Sequence, residues 1–162
     1  MLQNSQFSTL NSQLPCSLRA VDKGCFVDGT LQLAALDGDQ LVGCIDLYNY
    51  DPIHRRAEVG IVIDKAFRRQ GYAHAALQAL DILCRDTLKL HQLYCDIVAS
   101  HTTSLHLFES NGYVRIGCMR EWVQVGETYQ DVIRYQKILF RDRRPVTGDT
   151  IQVTSHGSKV TN

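Results

Sequence analysis

The hexapeptide Arg68-Arg69-Gln70-Gly71-Tyr72-Ala73 lies between an apolar run (Val59, Ile61, Val62, Ile63) and a stretch whose apolar residues recur at helical spacing. Ala73, Ala76, Leu77, Leu80, Leu83 and Cys84 fall three or four residues apart, so one amphipathic helix is expected from Gly71 to about Thr87. A basic, glycine-containing loop that enters a helix from a strand is an anion site. The first helical amides have no intrahelical acceptor, point outward, and carry the positive end of the helix dipole. Gly71 lets a ligand approach the backbone, and the small Ala73 leaves the next amide uncovered.

Further elements follow from alternation and turn chemistry. Leu31 to Leu36 and Leu41 to Leu47 flank Asp37-Gly38-Asp39-Gln40 and read as a hairpin; Arg56 to Ile63 is the next strand, after a connection broken by Asp51-Pro52. Leu93, Cys95 and Ile97 alternate with Tyr94 and Asp96 in a strand beyond the helix. A short helix from Thr102 to about Ser110 ends at Asn111-Gly112, and two strands, about Tyr113 to Val125 and Thr128 to Leu139, turn at Gly126-Glu127. The order β-β-β-α-β-α-β-β predicts an α/β (α+β) domain on one mixed sheet, with the strands flanking the crossover helix parallel to each other. Residues 1–140 are expected to form a single domain, and the polar, aperiodic 141–162 a disordered tail.

Charge and cysteine content narrow the classes of function. Seventeen basic and seventeen acidic residues cancel, so no global field favours nucleic acid or an anionic membrane, and phosphate affinity has to be local. Six cysteines (Cys16, Cys25, Cys44, Cys84, Cys95, Cys118) are scattered without a C-x-x-C pair and read as reduced, mostly core residues rather than disulfides or zinc ligands. With His54, His74, His91 and His106 they form no metal spacing, so no metal is expected. Met1 to Gln13 lacks an apolar signal region, and no segment approaches the roughly twenty apolar residues of a membrane span. A cytoplasmic protein is the expectation.

The loop fits R-x-x-G-x-A between strand and helix, which resembles the acetyl-CoA signature of the GNAT acetyltransferases. Ile53-His54-Arg55-Arg56-Ala57-Glu58 leads into the preceding strand. Ser104-Leu105-His106-Leu107-Phe108-Glu109-Ser110-Asn111-Gly112-Tyr113 is similar to the helix and turn S-x-x-L-F-E-x-x-G-[FY] of the same superfamily. Together, from about Leu31 to Leu139, they resemble the spermidine and ribosomal-protein N-acetyltransferase branch. Family members usually begin with a strand and two helices that roof the acceptor site. Only about thirty residues precede Leu31, so the amino-terminal region is shortened.

The resemblance implies acetyl-CoA as donor, an amine as acceptor and direct attack in a ternary complex. It implies a gap between the strand ending at Ile63 and that holding Leu93 to Val98, where pantetheine extends the sheet and amides near Ile61 and Val62 face the thioester oxygen. Cofactor contacts are expected from Ile61, Val62, Ile63, Arg68, Arg69, Gln70, Gly71, Tyr72, Ala73, His101, Ser104 and Phe108. Glu58 is the expected base; parity places it with Gly60 and Val62, opposite Val59 and Ile61, and the competing role is a salt bridge to Arg55 or Arg56. Phe108 stands where many polyamine members carry a proton-donating tyrosine, so it is expected to pack on pantetheine instead. His101 replaces a usual asparagine, either taking over its hydrogen bond or lying on the surface.

Asp46, Asp51, Glu58 and Glu121 are candidates to line a groove for a polyamine such as spermidine. A protein amino terminus or an aminoglycoside is an alternative acceptor. A CoA-binding module without catalysis is the competing class, and a homo-oligomer is a further expectation.

Overall fold

In a computed structural model, the structure describes residues 15–21 and 26–140. Seven strands form one sheet: β1 (Ser17–Ala20), β2 (Leu31–Asp37), β3 (Gln40–Asp51), β4 (Arg56–Ile63), β5 (Gln92–Val98), β6 (Val114–Val125) and β7 (Thr128–Ile138). Their order is β1-β2-β3-β4-β5-β7-β6. Every neighbouring pair is antiparallel except β4 and β5, which are parallel as the crossover through α1 (Tyr72–Ile82) requires. The second helix, α2 (Thr102–Ser110), follows β5.

Local chemistry accounts for the boundaries. Asp37 pairs with Gln40 across a two-residue turn in which Gly38 has φ 59°, and Val125 pairs with Thr128 across a turn in which Gly126 has φ 63°. The expected helix to Thr87 changes hydrogen bonding after Ile82. Leu83–Thr87 form a π turn, closed by the Leu88 amide donating to the Leu83 carbonyl. Gly112, at φ 81°, carries the chain out of α2.

β1, which the sequence pattern did not predict, pairs directly with β2, and no helix precedes β2 among the described residues. Expectations for 141–162 lie outside the described residues.

Both helices pack on one face of the sheet. Alternation sends Leu33, Ile45, Leu47, Ala57, Val59, Leu93, Cys95 and Tyr135 to that face, where they are buried with Ala76, Leu77 and Leu80 of α1. Polar ties join the layers: Tyr135 donates to Glu109 of α2 at 2.7 Å, and Lys137 bonds both Asp81 of α1 and the Asn111 carbonyl. The opposite face carries Asp46, Tyr48, Glu58, Val62, Tyr94, Asp96 and Arg134, and no described helix covers it.

Candidate active site

The β4–β5 pairing stops early. Arg56, Ala57 and Glu58 pair with Gln92, Leu93 and Tyr94, and beyond that point the strands separate. From Val59 to Ile63 one edge of β4 therefore has no strand partner among the described residues. Its orientation follows from β3: the Asp64 amide donates to the Val42 carbonyl, and pairing from Gly43↔Ile63 to Tyr48↔Glu58 has no irregularity. The main-chain groups of Gly60 and Val62 consequently face β3, and those of Val59, Ile61 and Ile63 face the gap. This corrects one expectation, because the Val62 amide is turned away from the gap. The Val62 side chain is 60% exposed on the open face.

At the wide end of the gap, the loop after β4 supplies the anion-site geometry. Gly71 caps α1 in the left-handed region (φ 86°) without a side-chain cap bond, so the first amides of the helix are left for a ligand. Arg69 also lies at positive φ (62°), a conformation uncommon for a side chain other than asparagine or aspartate. The Arg68 Nε donates to the Ile63 carbonyl at 3.0 Å. Tyr72 donates its hydroxyl to Asp37 at 2.6 Å, which pins the helix start to the β2–β3 hairpin; that bond and the nearby charge raise the phenol's pKa.

A cavity of about 710 Å³ joins the gap to this loop. Of the expected cofactor residues, Ile61, Val62, Ile63, Arg68, Arg69, Gly71, Tyr72, Ala73, His101 and Ser104 line it. Phe67, His74, Ser100, Thr102, Thr103 and Leu107, which sequence reasoning missed, line it too. Two expected residues do not. Gln70 turns its amide back to the Ala66 carbonyl at 3.0 Å. Phe108, 3% exposed, is in the core with its ring edge-on to Tyr113 at 4.9 Å, so its expected packing on pantetheine gives way to packing beneath the sheet. Adjacent helical positions differ by about 100°, and Leu107 has the cavity-facing phase instead.

At the narrow end stands Glu58, half-buried on the open face. Its Oε2 accepts from Asn49 Nδ2 at 2.8 Å, and it forms no ion pair among the described residues; Arg56 bonds Asp51 instead, at 3.2 Å. Asn49 sits at φ 48° in the irregularity of β3 between Tyr48 and Asp51, which aims its amide across the strand. Asp51 also accepts from the His54 amide and ring, and these bonds hold its carboxyl at a pKa of about 2. Glu121 lies apart from Glu58, on the outer strand β6.

Among the described residues no group of three or more His, Cys, Asp or Glu side chains could hold a metal ion. Cys16, Cys84 and Cys95 are buried, and burial raises their thiol pKa values; Cys44 is half-buried and Cys118 exposed. Among the described residues no helix is long and apolar enough to cross a membrane.

A single sheet parted between two parallel strands, with an uncapped helix start at the mouth of the gap, is the arrangement that the resemblance to the GNAT acetyltransferases implies. The family comparison agrees: residues 20–114 match the acetyltransferase (GNAT) domain, and the chain belongs to that family. Members of the family use acetyl-CoA as acetyl donor. The chain is 33% identical over 95 residues to spermidine N(1)-acetyltransferase of Vibrio cholerae, covering 58% of this chain and 54% of the relative. It is 27% identical over 101 residues to the ribosomal-protein-serine acetyltransferase of Escherichia coli, covering 62% and 56%. The chain thus spans a little over half the length of these relatives. Among solved structures, a chimera of the Vibrio cholerae spermidine N-acetyltransferase superposes with a TM-score of 0.67 at 26% identity, covering 69% of this chain and 68% of the other. A dodecameric structure of the Vibrio cholerae enzyme gives 0.65 at 26% identity, with 69% and 66% covered.

Proposed function

We propose that this chain is an acetyl-CoA-dependent N-acetyltransferase acting on a primary alkylamine of the polyamine type. The observation that carries this reading is the continuous path from the uncapped start of α1, along the free edge of β4, to Glu58. Arg68, Arg69 and the first amides of α1 bind the pyrophosphate, and the Ile61 and Ile63 main chain pairs with the pantetheine amides. His101 and Ser104, at the start of α2, contact the same ligand.

The amine arrives as an ammonium, with a lysine-like pKa of about 10. Glu58, oriented by Asn49, removes one proton and so frees the nitrogen lone pair to attack the acyl carbon. The Ile61 amide faces the developing oxyanion. As the carbon–sulfur bond breaks, the second nitrogen proton passes to the departing sulfur, leaving an acetamide, CoA thiol and a protonated Glu58. A thiol pKa of about 8.5 makes CoA a tolerable leaving group without a tyrosine at Phe108.

Residues 1–140 are taken as one acetyltransferase domain acting in the cytoplasm, and a homo-oligomer is proposed by likeness to the dodecameric relative. A module that binds CoA without transfer is favoured by one observation, that no tyrosine of α2 lines the cavity. The deciding experiment follows free-thiol release from acetyl-CoA with a small amine panel. Release with spermidine or a related amine supports the enzyme, whereas tight CoA binding without release selects the module. Gly71→Val gives the parallel test by calorimetry: the branched side chain strains a φ of 86° and covers the helix amides, so CoA binding should be lost. Unchanged affinity in a folded Gly71→Val protein removes the basis of the assignment.

A further inference from the structure

The span of β4 between Glu58 and the cavity is occupied by a side chain from the neighbouring strand. Gly60 pairs with Asp46, and Tyr48 pairs with Glu58. The outer part of the Tyr48 ring lies over Gly60: a Cβ added there would meet Tyr48 Cε2 at 2.7 Å and its hydroxyl oxygen at 3.3 Å. Only a glycine gives the ring this position. The hydroxyl therefore stands above the strand midway between Glu58 and Val62, and Val62 lines the cavity. The ring is on the open face, 38% exposed.

The proton of that hydroxyl is already committed. Tyr48 donates to Asp46 Oδ2 at 2.8 Å, so its oxygen presents lone pairs outward and can only accept. Below it, Asp46 Oδ1 is enclosed and has no hydrogen-bond donor among the described residues, and Asp46 forms no ion pair with them. A carboxylate whose charge no neighbouring cation offsets, coupled to an outward phenol oxygen, makes a surface that favours an approaching cation. The hydrogen bond to Asp46, together with burial and nearby charge, pushes the phenol pKa to about 12, which keeps the Tyr48 proton in place across the working range.

We infer that Tyr48, held by Asp46 over Gly60, is an acceptor-binding residue that receives an N–H of the protonated alkylamine and lines its nitrogen up between Glu58 and the acyl group. The inference rests on the reading that acetyl transfer occurs at this site, and it adds to that site a residue that positions the cationic acceptor. Tyr48 is not the acid for the leaving thiolate. Its phenol is a far weaker acid than a thiol of pKa about 8.5, and its proton is engaged elsewhere.

The test compares wild type with Tyr48→Phe and Asp46→Asn, using spermidine as probe and CoA-saturated protein. Tyr48→Phe keeps the ring over Gly60 and removes only the oxygen. Spermidine affinity by calorimetry should weaken about tenfold, the scale of a lost hydrogen bond to a charged group, with acetyl-CoA affinity unchanged. In kinetics the KM for amine should rise much more than kcat falls. Asp46→Asn should weaken spermidine binding in the same direction. Unchanged spermidine affinity in Tyr48→Phe overturns the inference, as does a wild-type protein that binds CoA but no spermidine. Failure of the acetyltransferase reading is distinct, since it shows as absent CoA binding, or absent thiol release with every amine of the panel, whatever residue occupies position 48.

Discussion

The two faces of the sheet are made of the same strands and behave as different materials. On the helix-covered face, Leu33, Ile45, Leu47, Ala57, Val59 and Leu93 are buried in one apolar layer. On the open face, the residues between them in sequence are Asp46, Tyr48, Glu58, Tyr94 and Asp96, each half-buried or exposed and nearly all polar. Burial of the first set fixes where the second set points, because a register slip of one residue would exchange the two faces. Under the proposed function the covered face carries stability and the open face chemistry, with β4 serving both through alternate residues.

That division is open to attack from either side. The largest effect is expected on the covered face: Leu93→Ala removes a fully buried side chain beside the narrow end of the gap and should cost about 2–5 kcal/mol of stability. Chemical denaturation gives the value, and a cost below 1 kcal/mol would show that the face is not the packed layer described. Next comes Glu58→Gln, which should lower turnover by about tenfold to a thousandfold while leaving CoA affinity and melting temperature near wild type. Unaltered turnover and pH profile would return Glu58 to a purely structural part.

Phe108 sharpens the boundary between the faces. The sequence resemblance assigns it to the cofactor, whereas its burial against Tyr113 predicts that Phe108→Leu costs roughly 1 kcal/mol of stability and leaves CoA affinity unchanged. Weakened CoA binding at unchanged stability would reverse that assignment. The smallest effect belongs to the open face between β5 and β7. Arg134 bonds Asp96 bidentately, at 2.7 and 2.6 Å, and lies over the Tyr94 ring at 5.3 Å. Both partners are partly exposed, so Asp96→Asn should cost less than about 1 kcal/mol, measured by denaturant midpoint.

Much of this layout was legible before the structure. Alternation located β2 to β7, the spacing of Ala76, Leu77 and Leu80 marked the buried side of α1, and Arg68 to Ala73 marked the mouth of the cavity. What escaped depends on contacts between residues distant in sequence. β1 is four residues long, too short for a periodic signal, and exists by pairing with β2. Phe108 and Leu107 are both apolar neighbours on α2, and only the packing of Tyr113 decides which turns inward. The edge that the Val62 amide faces is not legible from strand direction alone; the β3 register decides it. Asn49 and Tyr48 were invisible as site residues for the same reason, although a glycine at position 60 inside an apolar strand is the signal that something crosses there.

The bond from Arg68 to the Ile63 carbonyl has a consequence for which donors the cavity would accept. It leaves the far nitrogens of the guanidinium for a phosphate while its near nitrogen grips the last gap-facing carbonyl of β4. One side chain thereby sets the interval between the place for charge and the strand edge where amides pair. Under the proposed reading the protein gauges its donor like a caliper. A thioester with the same acyl group on a shorter arm, or without the terminal phosphates, would engage one jaw at a time. Lysine at this position would keep the charge and lose the calibration, since a single ammonium on a flexible stem cannot hold both jaws at a fixed separation.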